Sequence, residues 1–183
     1  SLWIGSRGGL LRWRDGKAMS FGPESGFRFP ATRSILTDRD GQLWVATAGG
    51  GLHRWRDGRF DSLDSLSGLS TDIAWSLLED RSGNLWVGTT GGVCRLRDTT
   101  FVNYTRRDGL GSEFVWTVAP DADGGVWAGS NGGGLDHIVD GRVQSLGAPG
   151  PGRASIIHSL LPEADGGVLL GTRAGLYRYR NGR

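Results

Sequence analysis

Four side chains suited to stacking on a small polar ligand recur at one position of a repeated sequence pattern. Each stands five residues before the acidic residue that opens a turn, and we call the four the central column: Arg33, Trp75, Trp116 and His158. The residue after each of them carries a small hydroxyl group. Indole, imidazole and guanidinium groups are planar and also donate hydrogen bonds, a combination typical of ligand pockets. The central column therefore predicts non-covalent binding of a small-molecule or oligosaccharide ligand.

Polar residues in neighbouring loops extend the predicted ligand site. Asp72 and Glu113 stand in the loop before the column residue, and Asn131 and Arg173 stand in a turn expected at the same end of the structure. A structural interpretation is the alternative. The two column tryptophans alternate with apolar residues, as side chains packed between neighbouring sheets would. The sequence leaves both interpretations open.

The sequence contains no recognisable catalytic or metal-binding motif. Its three histidines share no metal-ligand spacing, its single cysteine (Cys94) has no nearby partner, and it has no G-x-S-x-G motif. We therefore predict no catalytic residue, no metal site and no cofactor. Only His158 with Glu113 could form an acid–base pair, which keeps a lyase or hydrolase as a less favoured alternative.

Composition narrows the classes of partner. With 21 Lys and Arg against 19 Asp and Glu, the formal charge of +2 gives no electrostatic basis for binding nucleic acid or an anionic membrane. No apolar segment approaches the ~20 residues that span a bilayer, so membrane attachment would come only through segments outside this chain. Glycine contributes 33 of 183 residues and recurs at regular intervals, as expected for tight turns between short strands.

The elements that position these residues follow from an internal repeat. Apolar segments recur every 41 or 42 residues, centred on Trp3, Trp44, Trp86, Trp127 and Leu169. In each period an apolar run leads through an acidic turn to this Leu-Trp strand, then through a glycine turn to a third strand and an Asp-Gly hairpin. Four short antiparallel strands per period are typical of a propeller blade. The predicted fold is an all-β propeller with the central column on its innermost strands.

Counting the predicted strands gives about four and a half four-stranded blades. The first lacks its inner strand and the last its outer strand, with predicted boundaries at residues 1–30, 31–70, 71–111, 112–152 and 153–183. Because a closed ring leaves no open sheet edges, we favour a segment of a larger ring of seven or more blades. The missing blades would come from the rest of the protein or from a second copy. In the alternative, residues 155–161 complete the first blade and leave residues 167–180 outside a four-bladed ring.

Two other recurrent features are interpreted as structural. The tryptophans of the Leu-Trp strands recur in four of the five units, as residues of an interblade core should. Arg-x-Arg pairs on the third strands, such as Arg54 and Arg56, share one strand face. We interpret these arginines as solvated or as forming salt bridges between blades.

Two strings of the sequence resemble a known repeat family. They are Gly68-Leu69-Ser70 running on to Asp80-Arg81-Ser82-Gly83-Asn84-Leu85-Trp86-Val87-Gly88-Thr89, and Asp108-Gly109-Leu110-Gly111 followed by Asp121-Ala122-Asp123-Gly124-Gly125-Val126-Trp127-Ala128-Gly129-Ser130. The pattern is similar to the two-component regulator propeller repeat, and the resemblance covers essentially the whole chain. It departs from the family pattern at Val168-Leu169-Leu170 and near residues 23–30 and 147–152.

The resemblance implies a bacterial, periplasmic, ligand-sensing module rather than an enzyme. In such proteins the propeller usually precedes a membrane span and a cytoplasmic output such as a histidine kinase or a diguanylate cyclase, which would lie outside this chain. The resemblance also implies carbohydrate-derived ligands and a homodimer for many members. A protein-interaction or dimerisation scaffold without a small ligand is the alternative.

Overall fold

Five antiparallel sheets follow one another in the computed structural model, which describes residues 1–28 and 31–180. The first and last sheets have three strands each, β1 (Leu2–Ser6), β2 (Gly9–Arg14) and β3 (Lys17–Phe21), and β16 (Ile157–Pro162), β17 (Val168–Thr172) and β18 (Gly175–Tyr179). The sheets between them have four strands each: β4 (Thr32–Thr37), β5 (Leu43–Thr47), β6 (Leu52–Arg56) and β7 (Arg59–Leu63); β8 (Ala74–Glu79), β9 (Leu85–Thr89), β10 (Gly92–Arg97) and β11 (Thr100–Tyr104); and β12 (Val115–Pro120), β13 (Val126–Ser130), β14 (Leu135–Val139) and β15 (Arg142–Gly147). Short 3-10 helices at Pro23–Ser25, Ser65–Ser67, Arg106–Asp108 and Gly152–Ser155 connect successive sheets. The all-β propeller fold is confirmed, while residues 29–30 and 181–183 of the predicted terminal blades lie outside the described residues.

Equivalent strands of successive sheets contact each other in a fixed order. β4 contacts β8, β8 contacts β12 and β12 contacts β16, so these four are the inner strands. β1 contacts β4 as β5 contacts β8, which makes β1 the second strand of a sheet without an inner strand. β16 pairs with β17 in its own sheet, so the four-bladed arrangement considered above is not the one adopted.

The Asp-Gly pairs form the tight hairpins that their sequence predicts. Asp57 and Gly58 have φ angles of 49° and 82°, and Asp140 and Gly141 have φ angles of 49° and 74°. Two successive residues with positive φ make a type I′ turn, whose twist matches that of the flanking strands. These turns therefore set the register between the third and fourth strands.

In the second and third sheets the acidic turn before the Leu-Trp strand is tied to the tryptophan of that strand. Asp80 Oδ1 accepts hydrogen bonds from the backbone N–H groups of Ser82 (2.9 Å) and Asn84 (2.9 Å), and Asp80 Oδ2 accepts one from Trp86 Nε1 (2.7 Å). Although burial opposes ionisation of Asp80, the hydrogen bonds from Trp86 and Asn84 hold its pKa below the usual range. Asp38 makes the same bond to Trp44 (2.8 Å).

In the last sheet, both residues of this hydrogen bond between turn acid and tryptophan are replaced. Glu163 stands where the other turns have aspartate, and Leu169 stands where the other strands have tryptophan. Glu163 Oε2 accepts a hydrogen bond from Arg178 Nε at 2.7 Å instead. The departure from the family pattern at Leu169 is therefore one half of a paired replacement.

Alternate residues of each Leu-Trp strand pack against opposite neighbours. Leu43 and Val45 pack with Leu10 of the preceding sheet, whereas Trp44 packs with Leu85 of the following sheet. Trp44 is 7% exposed, and Trp86 and Trp127 are equally buried. These tryptophans are interblade core, as the sequence predicts.

The arginines opposite these tryptophans act within one sheet. Arg54 lies across from Trp44 in the strand pairing, with its Cζ 5.6 Å from the indole centroid, and it forms an ion pair with Asp61 of its own sheet (3.6 Å). The prediction of salt bridges between blades is wrong for this position, because strand pairing places the arginine directly on the ring. The interblade ion pair comes from an acidic turn, where Arg39 Nε lies 2.6 Å from Glu79 Oε1.

The outward faces of the two terminal sheets are apolar and exposed. Leu2 and Ile4 are 61% and 42% exposed, although their equivalents Leu43 and Val45 are buried. At the other end Leu176 is 72% exposed, although its equivalent Leu52 is buried. Each terminal sheet thus presents half of an interblade core.

No helix in the described part of the chain is long and apolar enough to cross a membrane.

Candidate functional site

The four column residues occupy β-bulges on the inner strands. In each inner strand the pairing with its neighbour skips one residue, between Thr32 and Ser34 in β4 and at the equivalent place in β8, β12 and β16. The residue skipped is the column residue: Arg33, Trp75, Trp116 or His158. A bulge leaves one residue unpaired and re-aims its side chain, and bulges are common beside functional sites. The same local irregularity therefore presents all four side chains.

The column side chains form one continuous stack across four sheets. The Arg33 guanidinium carbon lies 4.4 Å from the Trp75 ring centroid. The Trp75 and Trp116 centroids are 6.0 Å apart at 49°, and the Trp116 and His158 centroids are 4.9 Å apart at 21°. These distances are within the range of favourable aromatic and cation–π contacts. Residues 41 or 42 positions apart in sequence thus form a single surface.

The exposure of this stack distinguishes it from the interblade core. Arg33 and His158 are exposed and the two tryptophans are half-buried, whereas Trp44, Trp86 and Trp127 of the Leu-Trp strands are buried. Trp75 Nε1 is shielded and has no hydrogen-bond partner among the described residues. A shielded indole N–H without an acceptor costs about 1–3 kcal/mol.

The hydroxyl residues that follow the column belong to the sheets. Ser76 pairs with Gly88, and a Cβ added to Gly88 would lie 2.5 Å from Ser76 Oγ. Thr117 and Gly129 stand in the same relation. The small residue after Leu-Trp-Val or Val-Trp-Ala leaves room for the neighbouring hydroxyl side chain, so this second set of residues is structural.

The two loop acids mainly hold backbone. Asp72 Oδ1 accepts a hydrogen bond from Ser65 N (2.7 Å), and the Asp72 carbonyl accepts from Gly51 N (2.8 Å) of the preceding sheet. Glu113 Oε1 accepts from Arg106 N (3.4 Å) in the equivalent loop. Both acids therefore order the loops at the column end of the inner strands.

The two turn residues lie beside the same end of the inner strands. The backbone N–H of Asn131 donates to Phe114 O (2.8 Å), and that of Arg173 donates to Ile156 O (3.0 Å). Both side chains are exposed. Asn131 and Arg173 are thus held by backbone bonds within three residues of the column positions Trp116 and His158.

The fourth sheet contains a histidine–aspartate pair that was not predicted from the sequence. His137 Nε2 lies 2.9 Å from Asp121 Oδ2, and the imidazole stacks on Trp127 with a centroid distance of 3.8 Å. The strand register could have indicated this pair, because His137 lies opposite Trp127 in the fourth sheet just as Arg54 lies opposite Trp44 in the second. The pair replaces the usual bond between turn acid and tryptophan, so its role in the fold is accounted for.

No hydrogen bond joins His158 to Glu113 in the described structure, since His158 stacks on Trp116 and Glu113 bonds to a loop amide. Among residues 1–28 and 31–180, no three or more His, Cys, Asp or Glu side chains are grouped so that they could hold a metal ion. The arrangement at the column can stack on a ligand and hydrogen-bond it.

Solved structures with the same fold include two extracellular domains from B. thetaiotaomicron. One, described as from a one component system, matches with a TM-score of 0.77 and 24% identity over 97% of this chain and 28% of that one. The other, described as from a hybrid two component system, matches with a TM-score of 0.76 and 22% identity over 98% of this chain and 25% of that one. This chain therefore spans about a quarter of the length of each.

An enzyme shares the fold at lower identity. Virginiamycin B lyase from Staphylococcus aureus matches with a TM-score of 0.72 and 15% identity over 97% of this chain and 65% of that one. None of the curated proteins compared matches the chain. Likeness at these identities establishes the propeller fold and leaves function to the site.

The repeats themselves match a known family model. Residues 27–49, 68–91 and 109–132 match the family model described as two component regulator propeller. Each matched segment runs from the loop before an inner strand to the end of a Leu-Trp strand, and each contains one column residue. Three of the five units of this chain therefore match the two component regulator propeller repeat.

Proposed function

We propose that this chain is a ligand-sensing propeller module of a bacterial signalling receptor, located outside the cytoplasm. The observation that carries the proposal is the stack of Arg33, Trp75, Trp116 and His158 at four equivalent bulges. Interblade packing alone does not call for bulged, partly exposed side chains on the inner strands. Stacking on a small, carbohydrate-derived ligand does.

The similar structures support the receptor context of this proposal. Two of them are extracellular domains of proteins described as one component and hybrid two component systems. By this proposal the chain binds its ligand without chemical conversion, and the output domain and membrane anchor belong to other parts of the polypeptide. The protein is then periplasmic, as the repeat family implies.

Removal of the two column tryptophans tests the proposal. Calorimetric titration of the chain with a panel of oligosaccharides should find a ligand whose affinity falls about fivefold or more in Trp75→Ala/Trp116→Ala, because each lost stacking contact removes about 0.5–1.5 kcal/mol. Trp13→Ala is the matched control, since Trp13 is exposed on β2 and lies outside the column. Circular dichroism confirms that each variant is folded.

The proposal is wrong if no panel member binds and the receptor carrying the double substitution signals like the wild type. Unchanged affinity of the double variant for a ligand that does bind would also contradict it.

A second candidate is an interaction scaffold, favoured by the apolar terminal faces. Leu2 and Ile4 at one end and Leu176 at the other are exposed, although their equivalents are buried between blades. Further blades, from the rest of the protein or from a second copy in a homodimer, would bury these faces in a larger ring. This candidate predicts concentration-dependent association of the chain, which light scattering measures.

A further inference from the structure

We infer that the ligand of the central column carries an anionic group, a carboxylate or a sulfate. The inference rests on the proposed ligand-sensing function and concerns the same site. It follows from the charges at the column end of the inner strands, where exposed arginines have no acidic partner.

Three arginines at this end form no ion pair with any described residue: Arg33, Arg153 and Arg173. All three side chains are exposed. Elsewhere in the chain arginines do find carboxylates, as Arg39 does with Glu79 and Arg178 with Glu163. Other exposed arginines, such as Arg97 and Arg142, also form no ion pair with a described residue, so the inference rests on the position of these three beside the stack.

Backbone hydrogen bonds hold two of these arginines beside the end of the stack. The N–H of Ile156 donates to Arg153 O (3.1 Å), and the N–H of Arg173 donates to Ile156 O (3.0 Å). Ile156 is two residues before His158, which ends the stack. Arg153 and Arg173 thus lie beside His158 at one end of the column, and Arg33 stands at the other end.

The nearby carboxylates are committed to other bonds. Asp72 bonds to the amide of Ser65 and Glu113 to that of Arg106. The acidic turns lie five residues further along each inner strand, about 16 Å away at the rise of an extended chain. That distance exceeds the screening length of about 8–10 Å at physiological salt. Hydrogen-bonded carboxylates keep their charge, so the three arginines and these two acids together sum to +1 at the column end.

The geometry of Arg33 suits an anionic group that presents two oxygens side by side. Its guanidinium carbon is 4.4 Å from the Trp75 ring, so the face of the guanidinium is covered while the side chain as a whole remains exposed. The N–H groups of a guanidinium lie in its plane and match two oxygens of a carboxylate or sulfate. Stacking on Trp75 holds this group in place before the ligand arrives.

Calorimetry with matched trisaccharides tests the inference. The probes are neutral galactotriose, tri-galacturonate as the carboxylate form, and a sulfated galactotriose. We expect one or both acidic probes to bind about tenfold or more tightly than the neutral one, with an advantage that shrinks at about 0.5 M salt. The two acidic probes distinguish a carboxylate from a sulfate.

Two substitutions locate the effect. Arg153→Gln/Arg173→Gln should lower the affinity for the acidic probe about tenfold more than it lowers the affinity for the neutral probe. Arg56→Gln is the control, because Arg56 is an exposed arginine on the third strand of its sheet, with Asp57 as its partner.

A neutral probe that binds as tightly as the acidic ones would overturn the anionic inference while supporting ligand sensing. Failure of both acidic probes to bind at about 1 mM would also overturn it. Wild-type signalling by Trp75→Ala/Trp116→Ala would remove the proposed function as well.

Discussion

One position on the third strands shows how the repeat carries different chemistry in each blade. His53, Cys94 and Asp136 each lie opposite the residue that follows the tryptophan of their sheet, and all three are buried. Cys94 Sγ lies 3.1 Å from Ser70 Oγ, and Asp136 Oδ1 accepts a hydrogen bond from Gly111 N (3.0 Å). In these two sheets the side chain ties down the loop before the inner strand. Burial shifts the pKa values of His53 and Asp136 in opposite directions: it lowers that of His53 to about 4 and raises that of Asp136.

The low pKa of His53 predicts a loss of stability in mild acid. Below pH 6.5 the unfolded chain protonates His53, while the folded chain keeps it neutral until the pH nears 4. Stability should therefore fall as the pH drops through this window, by about 2 kcal/mol between pH 7.5 and pH 5 from this residue alone. Urea unfolding at the two pH values measures the difference.

His53→Gln should reduce this pH dependence, and His158→Gln, at an exposed position, should not. The comparison between variants is the informative quantity, because the raised pKa of Asp136 acts in the opposite direction. An equal pH dependence in the wild type and His53→Gln would contradict the prediction.

At the scale of elements, the bulge and the small residue beside it work together. Each inner strand gains one unpaired residue, which becomes the column side chain, and the next residue stacks over a glycine or alanine of the second strand. A Cβ on Gly129 would lie 2.7 Å from Thr117 Cγ2 of its own sheet and 2.6 Å from Ile157 Cγ2 of the next. The bulged arrangement thus depends on the absence of a side chain at this position.

Gly129→Val is expected to destabilise the fold by about 1–3 kcal/mol, because overpacking must displace both neighbours. Chemical denaturation measures the change. Gly8→Val is a suitable control, since only Ser6 Oγ, at 3.8 Å, would lie within contact distance of its Cβ. Equal effects of the two substitutions would argue against close packing at the bulge.

At the scale of the whole molecule, the two ends of the array expose what the middle buries. The same strand positions are core between blades and surface at the ends, as the contrast of Ile4 with Val45 shows. Faces of this kind are complementary to each other, because one presents the backward side of a blade and the other the forward side. Further blades or another copy can cover them, and such contacts are heterologous.

Substitution of Ile4 by aspartate should abolish any concentration-dependent association of the chain and leave its thermal unfolding nearly unchanged, because Ile4 is already 42% exposed. Light scattering and thermal unfolding provide the two measurements. Val45→Asp provides the contrast, since a carboxylate buried between sheets should unfold the protein. Persistent association of the Ile4 variant would show that another surface is responsible.

The repeat spacing, the hairpin turns and the positions of the central column could all be predicted from the sequence. These features depend on local chemistry. The Asp57-Gly58 pair predicts a type I′ turn from its own residue types, and the period of 41 or 42 residues can be measured in the sequence without knowing any contact. The column itself could be identified as variation within an otherwise regular repeat.

Only the tertiary structure decided which way those side chains are presented. From the alternation of residues along β8 alone, Trp75 could equally have been an interblade core residue. The bulge that exposes Trp75 is a break in the pairing between β8 and β9. Such a break depends on both strands, so the sequence of β8 alone does not indicate it. The same applies to Arg54, whose place on Trp44 follows from the register of two strands. Pairing between strands is a non-local property, so the sequence determined the blades and their turns, and the packing of the sheets determined the site.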